Sequence, residues 1–489
     1  MTSTNDVPKT PLHPRGRGDI FDMAGLDAVE FYTNASKIND EQIQQQEIMD
    51  LNPQIEPLRI ELLSDKKGRY VGKNLLDSFA LIFARPGGPG VAATVLECSA
   101  KDPNTYTLWL ATNDGAKSYS LRRLAKDIED WFKNRALYEY QDTLPSDHPD
   151  NPDPKKDLWA SILTYCYPSI VKFIQDTYKI LNEFRETLNW IESAMDLFTP
   201  SEEQRAAHDG ITRILNQLKV DFGNRLRTNA ANGSPDENWI DDDPSDRVER
   251  FNKITQLCFQ ELECHELSIG EIFQGLIEPK NEEEIQKHDR EERIRKETWP
   301  RKENTGICKE NTWRQWDTQE ITFEKFRRLI YVIANYRRAW YNLVHFKAQG
   351  SNYILQIRTI SMPEGQRHLP RTRLFCGMQI LEFLLESDHP NNFFSYIGCS
   401  KGPCWFSYHT LKCVAPEFEM REPNLKIYNA WGPPKVPGDS SYQHRLIKVL
   451  RILDEKMREA ANKGGNLERR AALPDTPDVE KRFVSLRTD

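Results

Sequence analysis

The stretch FFSYIGCSKGPCWFSYHTLKCV, residues 393–414, constrains the fold most tightly. Its first eight residues are apolar and aromatic, too short a run for a globular helix, and read as a buried strand over 393–400. Pro403 then stands where its fixed φ and missing N–H suit a first helical turn, which opens a helix over 403–414. Just upstream, Leu374, Met378, Leu381 and Leu385 share one face of a helix over 374–386. Downstream, FEMRE and LKIYNAW, within 418–431, read as two extended pieces, and Leu446, Leu450, Leu453 and Met457 form the apolar face of a closing helix. Helix, strand, helix, strand is the rhythm of an α/β fold.

Similar elements stand near the amino terminus. Leu75, Leu76, Phe79, Ile82 and Phe83 recur at helical spacing after the cap candidate Asn74 and before the stop Pro86-Gly87-Gly88. GVAATVLEC (90–98) and YTLWLATNDG (106–115), joined by the turn-forming KDPN, predict a hairpin. The segment 141–157 is a linker by its repeated proline and aspartate, which oppose ladder and helix alike. Beyond it the period is helical. Ile170, Ile174, Leu181, Phe184, Leu188, Ile191 and Met195 form one stripe, Ile211, Ile214, Leu215, Leu218 and Phe222 another, and two more helices are expected over about 247–276 and 322–346. Charged stretches at 228–246 and 278–304 separate them.

Sixty-six Lys and Arg against 74 Asp and Glu give a net charge of −8, so no global basic field grips a phosphate backbone, and any nucleic-acid contact has to be local. The amino terminus has no apolar leader, and no stretch approaches the ~18 apolar residues of a membrane span. An intracellular location, cytoplasmic or nuclear and without membrane, is the expectation. Nine scattered cysteines in 489 residues read as reduced thiols, mostly buried.

The order of these elements, with LFCGMQILEFLL, then FFSYIGCSKGPCWFSYH, then LKIYNAW, resembles a fungal-type branch of the nucleic-acid/nucleotide zinc deaminase superfamily. The specific match covers 374–431. The resemblance implies a three-layer cytidine-deaminase-like α/β sheet carrying a large all-α insertion. In domain terms it implies deaminase-like parts at 21–140 and 351–462 and a helical insertion with charged linkers at 141–350, while the polar, Pro/Gly-rich ends at 1–20 and 463–489 read by composition as disordered tails. In that family a His-x-Glu and a Pro-Cys-x-x-Cys each open a helix. One His and two Cys hold a zinc ion with a water in the fourth position, and the Glu shuttles the proton.

Carried over residue by residue, the His position falls on Phe375, the Glu on Gly377, the first Cys on Cys404 and the second on Ser407. Only Cys404 retains its chemistry, so the resemblance implies a degenerate zinc site, no resident cofactor and no catalytic residue. The leading reading is an inactive deaminase-like module that binds a partner, a protein first and a local nucleic-acid contact second. An active zinc-dependent deaminase is the alternative, with Cys399 or Cys413 joining Cys404 as ligands. A helical interaction protein is the third reading. Against the alternative ligand set, residues 404 and 413 lie on opposite sides of an ideal helix, and the blander reading makes these core thiols with His409 as a surface imidazole. Cys376 and the Cys258, Cys264, His265 group read as packing. Asn113 is a substrate-contact candidate by resemblance and a turn former by its Asn-Asp-Gly context. Trp405, with Phe406, is a base-stacking candidate or the filler of a former metal space. The loop residues Arg367, His368, Arg371 and Arg373 are a phosphate-binding candidate or a solvated loop.

Overall fold

The central strands of the main sheet bury side chains on both faces, and each face has its own helices. The computed structural model describes residues 20–37, 62–64, 70–84, 90–113, 118–133, 158–171 except 169, 202, 205–206, 209–218, 248–260, 330–348, 353–360, 374–387, and 390–462 except 422, 425, 429 and 438–440. In chain order, α1 (Ile20–Ala24) and α2 (28–37) precede a small antiparallel ladder, β1 (Leu62–Ser64) and β2 (Tyr70–Gly72). Then come α3 (Lys73–Phe83), β3 (Ala92–Cys98), β4 (Thr105–Thr112) and α4 (Tyr119–Lys133). Helical segments α5 (158–168), α6 (209–218), α7 (248–260) and α8 (330–348) follow. The chain returns with β5 (Ile354–Thr359), α9 (Cys376–Glu386), β6 (Tyr396–Cys399), α10 (Trp405–Val414), β7 (Glu419–Met420) and α11 (Ser441–Asn462).

The main sheet has the order β5-β4-β3-β6-β7. β3 runs antiparallel to both its neighbours, whereas β4 and β5 are parallel to each other, as are β6 and β7. On one face, Leu96, Cys98, Tyr106, Leu108 and Leu110 pack with α3, α4 and the helical segments α5 to α8 in a single core. On the other, Ala93, Val95, Ala111 and Ile397 pack with Met378, Ile380, Leu381 and Leu384 of α9. A third cluster joins α1, α2, α10 and α11 around Phe406 and Trp431, whose rings stack 4.9 Å apart. The helical segments are built into the first core: the Asn342 amide donates to Ser78 Oγ at 2.8 Å, and the Cys166 thiol reaches the Ile82 carbonyl at 3.6 Å, both on α3.

Two close approaches fix this packing. Gly398, in the middle of β6, lies against the main chain of α3. A methyl group built there would overlap the Leu76 carbonyl carbon and oxygen, with Leu76 Cβ only 2.7 Å away. Thr94, its β3 partner, donates its hydroxyl to the same Leu76 carbonyl at 2.8 Å. At the opposite edge, Glu129 of α4 accepts the Ile357 main-chain N–H at 2.6 Å, and α4 lies along β5.

Several sequence expectations change in detail. The first helix begins at Lys73 with Gly72 as its cap residue, not Asn74. The expected strand 393–400 narrows to Tyr396–Cys399, because Pro390–Asn392 form a 3-10 turn and Phe393 makes only an isolated bridge to Glu97. α10 starts at Trp405, with Pro403 outside it and Cys404 as the cap. LKIYNAW forms no strand among the described residues: Ile427 and Trp431 are buried against α10 and α11, Ile427 in irregular chain and Trp431 at a single bridge position. α4 and β5 have no counterpart in the sequence reading. α4 is announced by Ser118, whose Oγ accepts the Leu121 N–H at 3.1 Å, and by Leu121, Leu124, Ile128 and Trp131 on one face. The stretches 141–157, 228–246, 278–304 and 365–373, with Cys264 and His265, lie outside the described residues. No helix among the described residues is long and apolar enough to cross a membrane.

Candidate functional site

Strand register brings the two helices of interest to one end of the sheet. The last residue of β4 pairs with the first of β3, Thr112 with Ala92, and the last of β6 pairs with Ala93. The carboxyl ends of β4 and β6 therefore flank the start of β3, and the chain leaves β6 there to enter α10. Asn113, next after β4, holds the start of α9 to the same place: its Oδ1 accepts the Cys376 N–H at 2.8 Å. Crevices at the carboxyl ends of strands are where α/β sheets place ligands.

The unpaired N–H groups of two helix starts would favour an anion or a metal-bound hydroxide there. Here the protein takes up several of them. At α9, Asn113 takes the Cys376 N–H, and the Phe375 carbonyl takes those of Met378 (2.8 Å) and Gln379 (2.9 Å). At α10, the Lys426 carbonyl accepts the Trp405 N–H at 3.0 Å, and Cys404 Sγ accepts the Ser407 N–H at 3.4 Å. The Cys404 thiol in turn donates to Ser407 Oγ at 3.2 Å. Cys404 is thus a helix cap, and the serine at the second cysteine position closes the pair.

The remaining two positions are filled differently. Phe375 is half-buried and meets Tyr428 edge-on at 5.8 Å. Gly377 carries the side chain of Met420 over its α-carbon: a Cβ added to it would lie 2.8 Å from Met420 Cε and 3.8 Å from Sδ. The volume from which a proton-shuttling carboxylate would project is occupied by a thioether from β7. Trp405 is buried and packs edge-on against His409 at 4.9 Å and Phe406 at 5.4 Å.

Among the thiols, Cys376 lies close enough to both Cys399 and Cys404 for the charges to interact. Burial pushes the Cys376 thiol up to about 12 and Cys404 up to about 11, and it raises Cys399 well above the ordinary range. Cys413 is turned toward α11, where burial raises it to about 12 against a partial offset from Lys448. All four are protonated at neutral pH and poor nucleophiles. Among the described residues no three His, Cys, Asp or Glu side chains are placed to hold a metal ion, so Cys399, Cys404 and Cys413 do not converge. His409, expected at the surface, is 3% exposed: one turn after Trp405, it shares that residue's buried face.

A carboxylate the sequence reading passed over lies beside this end of the sheet. Asp77 of α3 accepts the Cys399 N–H at 2.8 Å and the Tyr396 hydroxyl at 2.9 Å. Burial raises its pKa above the usual carboxylate range, with Arg421 pulling it partly back. Its signal was a lone charge inside the apolar run NLLDSFALIF. A raised folded pKa means that Asp77 favours the folded state most at low pH and that this advantage is lost as pH climbs through the folded value. Thermal melts at pH 5 and pH 8 are expected to show Asp77→Asn flattening this dependence. Asp77→Ala, which strands two buried donors, is expected to cost about 1–3 kcal/mol at both. Equal behaviour of the two variants would refute the assignment.

Residues 376–435 match the model of a family described as OTT_1508-like deaminase. The matched stretch begins at the first residue of α9 and contains β6, α10 and β7. The chain is thus deaminase-like in the segment that builds this end of the sheet. No curated protein and no solved structure matches it.

Proposed function

We propose that the chain is a catalytically inactive member of the fungal-type deaminase branch, retaining the scaffold and serving as a binding module. One observation carries this reading: at the positions that correspond to a zinc deaminase's ligands and proton shuttle, the protein's own groups pair with or cover one another. Cys404 and Ser407 cap α10 together, Asn113 caps α9, and Met420 covers Gly377. The residues present do not fit a zinc ion: Phe375 and Ser407 stand where the imidazole and the second thiolate would be, and no three His, Cys, Asp or Glu side chains among the described residues are placed to hold a metal.

The scaffold part of the reading is supported by the sheet itself. The β4-β3-β6-β7 order, with β3 antiparallel to its neighbours and helices on both faces, is what a cytidine-deaminase-like three-layer sheet requires. In this reading β5 is an added edge strand delivered by the helical insertion.

The test is metal content and turnover of the purified full chain. We expect substoichiometric zinc, and no ammonia release from cytosine- or adenine-containing nucleosides and single strands with zinc added. Stoichiometric zinc or ammonia release overturns the proposal in favour of an active deaminase. Phe375→His, Gly377→Glu and Ser407→Cys together restore the family's four groups. The structure adds Met420→Ala to make room for the new carboxylate. The quadruple variant, if folded, is expected to bind about one zinc ion per chain, and a folded variant without metal would refute the alignment.

A further inference from the structure

The helical segments carry an unpaired cation that the deaminase-like region does not account for. Arg337 of α8 lies among three aromatic rings, with its guanidinium carbon 5.0 Å from the Trp159 ring centre, 4.5 Å from Trp340 and 5.5 Å from Tyr341. Its Nη1 donates to Asn252 Oδ1 at 2.9 Å, and the same oxygen accepts the Trp159 indole N–H at 2.8 Å. A neutral amide oxygen shared by two donors orients the guanidinium without neutralising it. No carboxylate among the described residues lies within ion-pair distance of Arg337.

Two more donors beside it are unmet. Arg337 Nε and Trp340 Nε1 are both buried without a hydrogen-bond partner, and Trp340 is only 8% exposed. A guanidinium without a carboxylate partner favours an acceptor with negative charge. Tyr341, 42% exposed and packed on Phe259 at 5.1 Å, offers a ring to solvent next to this cation. Charge adds to the case. Residues 330–348 contain no Asp or Glu and residues 158–168 carry no charge at all, in a chain whose total is −8, while Lys347 is turned into the core, where its ammonium donates to the Phe132 carbonyl at 2.6 Å. Guanidinium for phosphate with an exposed ring for a base is the pairing that single-stranded nucleic acids use. A carboxylate partner would use the cation and leave Tyr341 without a role.

We propose that this face of α8 binds a single-stranded nucleic acid, with Arg337 on a phosphate and Tyr341 stacked on the adjacent base. The site lies outside the segment matched by the deaminase model and is independent of turnover there, so zinc content and strand binding can fail separately.

Fluorescence anisotropy of the full chain with labelled dT20 and U20 tests it. The expected result is saturable binding that weakens with salt, about ten-fold weaker for Tyr341→Ala and at least ten-fold weaker for Arg337→Gln. Tyr341→Ala removes an exposed ring and is expected to leave the melting temperature unchanged, which keeps the test valid if Arg337→Gln does not fold. Competition by UMP well ahead of inorganic phosphate supports base stacking, whereas equal competition means a free-anion site and overturns the strand assignment. Absence of binding at low salt, insensitivity to both substitutions, or equal displacement by a polyglutamate peptide also overturns it.

Discussion

Gly398→Ala is expected to destabilise the chain by about 3 kcal/mol or more, lowering the apparent melting temperature by roughly 5–10 °C. The added methyl would meet the Leu76 carbonyl group, main chain of α3 rather than the end of a flexible side chain. Relief therefore requires moving α3 away from β6, which breaks the Thr94 hydroxyl bond to the same carbonyl and loosens the core beneath. Trimming Leu76 to alanine is expected to give no rescue, because the overlapping atoms remain. Gly377 is the contrast: an alanine there meets only the terminal methyl of Met420 at 2.8 Å, so Met420→Ala is expected to relieve Gly377→Ala. Rescue of Gly398→Ala by Leu76→Ala, or a melting temperature within about 1 °C of the parent, would show that the helix does not rest on this strand as described.

His409 predicts an acid-sensitive core. Burial, with neither ring nitrogen hydrogen-bonded, lowers its pKa from 6.5 to about 4. A depressed folded value means that the neutral ring's contribution is fully present above about 6.5 and is lost as pH falls through the folded value, because the unfolded chain takes up the proton first. At about 1.4 kcal/mol per pH unit the whole effect is roughly 3 kcal/mol. His409→Phe keeps an aromatic ring against Trp405 and removes the titration. Melting curves between pH 7 and pH 4 are expected to fall less steeply for His409→Phe than for the parent. Parallel curves would mean that His409 is hydrated or paired in solution.

The helices and central strands that frame the main sheet were legible because their apolar residues follow one period over enough residues to be counted. Leu75 to Phe83 and Met378 to Leu384 did so, and so did the β3 and β4 pair across KDPN. β5 was not, since an edge strand one face of which is partly wet mixes Gln356 and Arg358 with its aliphatics and gives no clean alternation. LKIYNAW misled for the opposite reason: its apolar residues are buried by α10 and α11 rather than by a ladder. At the candidate site, the identities at Phe375, Gly377, Cys404 and Ser407 were readable one by one, but what packs against them was not. Asn113 reaches Cys376 across 263 positions of chain. Met420 covers Gly377 from a strand of two residues, and Asp77 joins β6 from a helix more than three hundred positions earlier. Such pairs have no local signature, since tertiary packing alone brings them together.

The carboxylate of Glu129 on the Ile357 N–H gives that edge of the sheet a sterner character than its short strand suggests. An incoming peptide that sought to lengthen the sheet beside β5 would find a main-chain donor already taken by a charged side chain and α4 lying alongside. Displacing them would expose Leu121, Leu124 and Ile128 to water. Recruitment through strand exchange or fibril-like stacking is thereby disfavoured at this border.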